Sequence, residues 1–293
     1  MTDEADRGSL PRCGVTRCER AIRAAIAVAQ RLGMGAIAPV VLKNSNHTNI
    51  HLAPFPIVAR VVTPVVSRQV ARNLADEVAV AQHLAHRGAP IAAPSVDVPA
   101  GPHSDGDTLM TLWQFVSHRP AGATDGVAAA EALQAVHRLL ASYPRRLPAF
   151  TVAIDYCRSL LEDGTALPAL GGADRAFLVA EHDRLRGRMR GTGRCVAIHG
   201  DAHLGNVLVT ALGPRWVDWE SVCMGPPEWD LSCLPERVWS GSRAVDHDLL
   251  TLLKDLRSVC VAVWCWVEPD RTPERREAAE FHLRRLRDRA HMA

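Results

Sequence analysis

Strand-forming and helix-forming stretches are segregated along the 293 residues, and no other feature of the sequence narrows the choice of fold as far. From Pro39 to Val116 β-branched runs dominate, interrupted by one stretch of helical spacing; beyond the Pro120 to Gly126 segment nearly every periodic stretch is helical. This segregation predicts an α+β fold with a small antiparallel sheet first and a larger, mainly helical part after it.

In the first part, Cys18 to Leu32 spaces its apolar residues for a preamble helix that stops at Gly33. Val40-Val41-Leu42, Ile50-His51-Leu52 and Ile57 to Val62 predict three strands, separated by turn formers such as Asn44, Ser45, Asn46 and Pro54. Val70 to Arg87 returns to helical spacing, with Leu74, Val78, Ala81 and Leu84 on one face and Gly88 ending it. Ser95 to Val98 and Thr108 to Val116 predict two further strands, with Gly101 to Gly106 as the turn between them. Residues 1–118 then form one lobe and residues 119–293 a second. Helices are expected there over Val127 to Tyr143, Ala149 to Glu162, Ala173 to Arg190, Asp246 to Val267 and Pro273 to His291. Three short apolar segments interrupt them, at Val196 to Ile198, Val207 to Val209 and Trp216-Val217.

The totals exclude several classes. With 34 basic and 32 acidic residues the formal charge is only +2, which leaves no footprint for a nucleic-acid backbone. The acidic, polar start MTDEADRGSL lacks the layout of a secretory signal, and the longest apolar run, Val259 to Val267, is far short of a membrane span. Eight cysteines include no Cys-x-x-Cys pair and sit mostly in apolar stretches, so they read as reduced thiols of a cytoplasmic protein. Nothing bears on assembly beyond a monomer or homodimer.

The chemistry concentrates in His199-Gly200-Asp201-Ala202-His203-Leu204-Gly205-Asn206, set between two short apolar segments, with Asp218 following in Trp216-Val217-Asp218-Trp219-Glu220. An acid, a carboxamide and a second acid thus emerge on neighbouring loops. Phosphoryl transfer asks for a positioned hydroxyl, a metal against the phosphate charge and groups that hold both. Asp201 suits the hydroxyl, as a base or an orienting group. Asn206 and Asp218 offer oxygens to a hard cation such as Mg²⁺.

The complete HGDAHLGN string and the later Asp resemble the aminoglycoside phosphotransferase and choline kinase branch of the protein-kinase-like fold. The resemblance covers most of residues 35 to 290, with its specific motifs between 195 and 232. It implies a two-lobe fold, ATP or GTP with Mg²⁺ as co-substrate, a small hydroxyl-bearing acceptor, and neither nucleic acid nor membrane as partner. Asp201 becomes the catalytic base, and Asn206 and Asp218 the metal ligands. Gly225 to Leu231 resembles the segment in which the counterpart of Asp230 braces the catalytic loop. Val127 to Leu140 resembles the first helix of the C-terminal lobe, where His137 reads as structural.

On the nucleotide side the resemblance is looser. The family's strand-three lysine is replaced by Arg60, and Glu77 on the next helix is its expected ion-pair partner. The hairpin from Leu42 to Ile50 contains no glycine, leaving Ser45, Asn46 and Thr48 as phosphate donors. Adenine is expected along Leu112 to Val116, which includes Trp113, Gln114 and Phe115. For the acceptor, His203, Trp219, Glu220 and Glu228 flank the base and metal ligands, and Trp239, Trp264, Trp266, Glu268 and Asp270 lie where the family builds its acceptor pocket. Acidic and basic residues mix there, which favours a neutral or weakly charged natural product as much as an aminoglycoside; a resistance role follows only from family frequency.

Two other readings have a basis in the residues. A Zn²⁺ or Fe hydrolase would take His199, Asp201, His203, Asp218 and Glu220 as ligands, but it leaves Asn206 and the N-terminal sheet unused. A nucleotide-binding scaffold without turnover is suggested by Arg60 and the missing glycines, against a full set of base, metal ligands and loop brace.

Overall fold

The computed structural model describes residues 16–45, 47–62, 68–163, 165–189, 194–240, 244–267 and 273–292. They fall into two compact units, one of residues up to 78 with 93–116, the other of 79–92 with 117 onward.

In the first unit, helix α1 (Arg17–Arg31) is started by a capping box in which Thr16 Oγ1 accepts the Glu19 N–H and Glu19 accepts the Thr16 N–H. Strands β1 (Ala38–Asn44), β2 (Thr48–Ala53) and β3 (Ile57–Val62) precede helix α2 (Arg68–Ala85), and β4 (His103–Asp105) and β5 (Thr108–Gln114) follow it. The sheet is antiparallel throughout, in the order β1-β2-β3-β5-β4. Alternation sends Ile50 and Leu52 of β2, Ile57, Ala59 and Val61 of β3, and Met110 and Leu112 of β5 into one core, closed by the alanine-rich face of α1. Arg60, between Ala59 and Val61 on β3, is also buried but lies on the opposite face of the sheet.

Five strands are expected and five form, but one is displaced. Ser95 to Val98 is not a strand: prolines on either side supply no donors, Ser95 Oγ accepts the Val98 N–H in a local turn, and Val96 is 78% exposed. The fifth strand is β4, inside the stretch expected as a turn. The turn itself is the two-residue connection Gly106-Asp107, with Gly106 at φ +57°.

The second unit takes in residues 79–92 because Ile91 bridges Trp216 and the Ala92 N–H donates to the Trp216 carbonyl. After the short β6 (Arg119–Pro120) come α3 (Gly126–Leu140), α4 (Thr151–Asp163) and α5 (Gly172–Arg188). A run of short elements follows: β7 (Val196–Ile198), β8 (Val207–Thr210), β9 (Gly213–Trp216), β10 (Cys223–Gly225) and α6 (Pro227–Leu231). The long helices α7 (His247–Trp266) and α8 (Pro273–Met292) complete it. Leu, Val and Cys side chains of α4, α5, α7 and α8 form the core, with Phe150 and Trp229 at its edge. Among the described residues no helix is long and apolar enough to cross a membrane.

Candidate active site

The catalytic-loop motif occupies the irregular backbone between β7 and β8, and its shape is set residue by residue. Gly200 adopts φ +85°, and a Cβ there would lie 2.0 Å from the Ser221 carbonyl oxygen, so only glycine fits on both counts. Asp230, fully buried on α6, accepts the Gly200 N–H on Oδ1 and the His199 N–H on Oδ2, each at 2.8 Å. His137 of α3 adds Nε2 at 2.7 Å from the same Oδ2. Burial works to raise the Asp230 pKa, but the His137 hydrogen bond and the loop amides outweigh it and hold the carboxyl below its ordinary range.

His199 is fully buried between Trp216 and Trp219, with ring centroids 5.2 and 4.6 Å away. Its Nδ1 faces the Asp201 N–H at 3.3 Å and its Nε2 the Val217 carbonyl at 3.0 Å. One nitrogen therefore accepts and the other donates, which is the neutral ring; burial lowers its pKa in agreement.

Asp201 stands at the centre, with its side chain 38% exposed. Oδ1 receives Nη2 of Arg257 at 2.7 Å, while Oδ2 lies 3.5 Å from both His203 Nε2 and Asn206 Nδ2. Burial pushes its pKa upward, but the His203 contact and the Arg257 guanidinium overcome this and hold it well below the usual carboxylate range. His203 is locked by its other nitrogen, which accepts the Gly205 N–H at 3.0 Å.

The two expected metal ligands both flank the open end of the β8–β9 hairpin. Val207 pairs with Trp216 and the Val217 N–H donates to the Asn206 carbonyl at 3.0 Å, so Asn206 lies opposite Val217 and Asp218 follows one residue beyond it. Asn206 Nδ2 donates to the Asp201 carbonyl at 3.0 Å, which leaves Oδ1 as the amide atom not facing that carbonyl. Asp218 has φ +71°, the left-handed region that non-glycine residues seldom adopt and that clusters at functional sites. A carboxamide oxygen and a carboxylate at one hairpin end fit a hard, oxygen-seeking divalent ion. Among the described residues no group of three or more His, Cys, Asp or Glu side chains is arranged to hold a metal, so the hydrolase reading finds no ligand set there.

In the first unit Arg60 and Glu77 meet as expected: Nη1 lies 2.7 Å from Oε2, with both side chains buried. The hairpin expected to cradle phosphate is partly self-satisfied. Ser45 N–H donates to the His47 carbonyl, its own carbonyl accepts from Arg17, and the Thr48 hydroxyl donates to Asn44 Oδ1. Thr48 is thus spent inside the turn rather than offered outward, and Asn46 lies outside the described residues.

The segment expected to read adenine is also engaged. Trp113 is buried, with its Nε1–H on Thr111 Oγ1 at 2.8 Å. The N–H groups of Gln114 and Phe115 donate to the Ala93 and Pro56 carbonyls, and the Phe115 ring stacks on His51 at 3.9 Å.

Of the acceptor candidates, His203 and Glu220 are exposed, whereas Trp219 is 1% exposed and packs on His199, so it supports the loop instead of facing an acceptor. Glu228 is buried and accepts the Asp246 N–H at the start of α7. Trp239 is buried beneath the Lys254 ammonium. Trp264 and Trp266 pack against the helical core; Glu268 and Asp270 lie outside the described residues. Sequence reasoning missed Arg257, whose place in Lys254-Asp255-Leu256-Arg257-Ser258 on α7 carries no local signature of a loop contact.

The model of the phosphotransferase enzyme family matches residues 28–260 of the chain. Among solved structures, a choline/ethanolamine kinase family protein from Mesorhizobium loti is 17% identical with a TM-score of 0.63, covering 90% of this chain and 94% of its own. An aminoglycoside-3'-phosphotransferase of type VIII is 18% identical, TM-score 0.61, over 83% of this chain and 98% of its own. The amicoumacin kinase hAmiN, in complex with AMP-PNP, Ca²⁺ and Ami, is 10% identical, TM-score 0.67, over 90% and 93%. These likenesses give the expected protein-kinase-like fold, with a small antiparallel-sheet N-terminal part and a larger, mainly helical C-terminal part. No curated protein sequence matches the chain.

Proposed function

The chain belongs to the phosphotransferase enzyme family, and we propose that it moves the γ-phosphate of ATP or GTP to a hydroxyl of a small molecule, with Asp201 as the catalytic base. The observation that carries this reading is the braced loop: a partly exposed carboxylate held by Arg257, beside a hairpin end from which Asn206 and, one residue past its partner Val217, Asp218 extend.

Asp201 receives the acceptor hydroxyl on Oδ2, since Oδ1 is taken by Arg257. Its lowered pKa makes it a weak base. That suits a loose transition state, in which orienting the hydroxyl comes first and the proton leaves late. Asn206 Oδ1 and the Asp218 carboxylate would hold Mg²⁺, which when bound offsets charge on the nucleotide phosphates. Arg60, fixed by Glu77, takes the role of the strand-three base toward the phosphates. Ser45 and the segment of Trp113, Gln114 and Phe115 remain the proposed hairpin and nucleobase contacts.

His203 and Glu220, with Glu268 as a further candidate, are proposed to meet the acceptor. The proteins of similar fold include kinases of choline, aminoglycosides and amicoumacin, so all three acceptor kinds belong in a screen, beside nucleoside and peptide antibiotics and simple sugars. We place the protein in the cytoplasm, as a monomer or homodimer with neither nucleic acid nor membrane as partner.

The test is a coupled ADP- and GDP-release screen with Mg²⁺, both triphosphates and that acceptor panel. Acceptor-dependent release supports a kinase and identifies its acceptor class. Tight nucleotide binding with no release against any acceptor favours the turnover-free scaffold.

A further inference from the structure

Arg257 lies on α7, 56 residues beyond Asp201 in the chain, and its side chain is only 8% exposed. Burying a guanidinium is costly unless its donors are all met, and an ion pair buried for stability alone is often matched by hydrocarbon of the same volume. Here both terminal nitrogens of the fork go to two consecutive residues of the catalytic loop. Nη2 reaches Asp201 Oδ1 at 2.7 Å, and Nη1 and Nη2 both reach the Gly200 carbonyl at 3.3 Å.

A wall behind the fork fixes its plane. Arg257 Cζ sits 4.8 Å from the centroid of the Trp229 ring, and Trp229 Nε1 donates to the same Gly200 carbonyl at 2.9 Å. The two oxygens of Asp201 are therefore unequal. Oδ1 is bound closely, while the nearest donors to Oδ2, His203 Nε2 and Asn206 Nδ2, stand at 3.5 Å, the outer limit of a hydrogen bond.

We infer that Arg257 is a positioning residue for phosphoryl transfer: it pins Oδ1 of Asp201 and so presents Oδ2 to the acceptor hydroxyl. The inference rests on the phosphotransferase reading above. Lysine cannot replace the fork, because a single ammonium on a flexible stem has no plane to lay on Trp229 while bridging a carbonyl and a carboxylate.

The test uses full-length wild type, Arg257→Met, Arg257→Lys and Asp201→Asn. For each, nucleotide affinity is measured with Mg·AMP-PNP, and acceptor-free ATP and GTP hydrolysis with water as the phosphoryl acceptor; wild type and Arg257→Met are also crystallised. Displacing the base without touching nucleotide contacts should cut the Asp201-dependent rate roughly 100-fold while affinity stays within about 3-fold. Arg257→Lys, keeping the charge without the fork, should recover about 10-fold of that loss. In the Arg257→Met crystal structure the Asp201 carboxylate should be turned away from its wild-type rotamer.

An unchanged carboxylate, or a wild-type hydrolysis rate in Arg257→Met, overturns the inference. A wild-type rate no higher than that of Asp201→Asn counts against the functional reading instead, and the rotamer of Asp201 in the crystals then decides the positioning role by itself. Should Arg257→Met not fold, Arg257→Lys takes its place: a reduced rate with a shifted carboxylate supports the inference, and wild-type behaviour in both overturns it.

Discussion

Nε2 of His137 lies 2.7 Å from Oδ2 of Asp230, tying α3 to the residue that accepts both the His199 and the Gly200 amide. One buried carboxylate thus fixes the start of the loop, ahead of the single 3-10 turn at Leu204–Asn206. Replacing Asp230 with Ala leaves two buried N–H groups and His137 without acceptors, and should cost about 3–5 kcal/mol. His137→Leu removes one donor and leaves the amides satisfied, at about 1–3 kcal/mol. Urea unfolding of both variants gives the order; equal losses would contradict this division of labour.

Gly200→Ala should be worse for activity than its single methyl suggests. A Cβ would meet the Ser221 carbonyl at 2.0 Å and would sit at φ +85°. The loop can relieve that contact only by moving, and Asp201 moves with it. A loss of phosphotransfer of roughly 100-fold or more is expected. A Gly200→Ala variant with normal turnover would show that the loop tolerates displacement.

Arg60 and Glu77 form a buried pair, so the two roles of Arg60 have to be separated by choice of variant. Arg60→Ala removes the ion-pair partner of the buried Glu77 and should destabilise by about 3–5 kcal/mol, whereas Arg60→Met with Glu77→Leu should recover most of that stability. Neither substitution restores a phosphate contact. Arg60→Lys, measured by the nucleotide KM, reads the second role: a raised KM with near-normal melting temperature is expected, and an unchanged KM would remove Arg60 from the nucleotide site.

Stability should fall on mild acidification, and His282 accounts for part of the fall. Its Nδ1 is buried without a hydrogen-bond partner among the described residues, and burial beside Arg285 and Arg257 pulls its pKa down from 6.5 to about 4. Between those values the unfolded chain binds more protons than the folded one. The contribution is therefore complete above pH 6.5, declines as pH drops, and levels off below about pH 4. Melting temperatures measured across this range should fall less steeply in His282→Phe than in wild type; parallel curves would contradict the assignment.

The sequence made the long elements and the chemical motif legible for the same reason, that each is a pattern of spacing. Among the described residues seven helices carry the 3.6-residue period over enough turns to be placed within a few residues. β6, β10 and α6 span two, three and five residues, too few for any period to register. The Ser95 to Val98 expectation failed because β-branched residues outweighed the prolines around them, although missing donors decide pairing. At the site, HGDAHLGN and Asp218 were readable, as was the Arg60–Glu77 partnership. Arg257 was not: its partners come from a loop 56 residues earlier, and one more charged residue beside Lys254 and Asp255 gives no local hint of what it reaches. Trp219 misled in the opposite way, since its place beside Asp218 suggested an outward ring and the packing demand of His199 turned it inward.

The central claim is that Asp201 handles the acceptor hydroxyl while Asn206 and Asp218 serve the nucleotide-bound metal. The direct measurement is nucleotide affinity and acceptor-dependent ADP or GDP release, taken side by side for wild type, Asp201→Asn and Asp218→Asn. Asp201→Asn should lose roughly 10²- to 10⁴-fold in release with nucleotide affinity within a few-fold, and Asp218→Asn should weaken both. Release at the wild-type rate from Asp201→Asn would contradict the account.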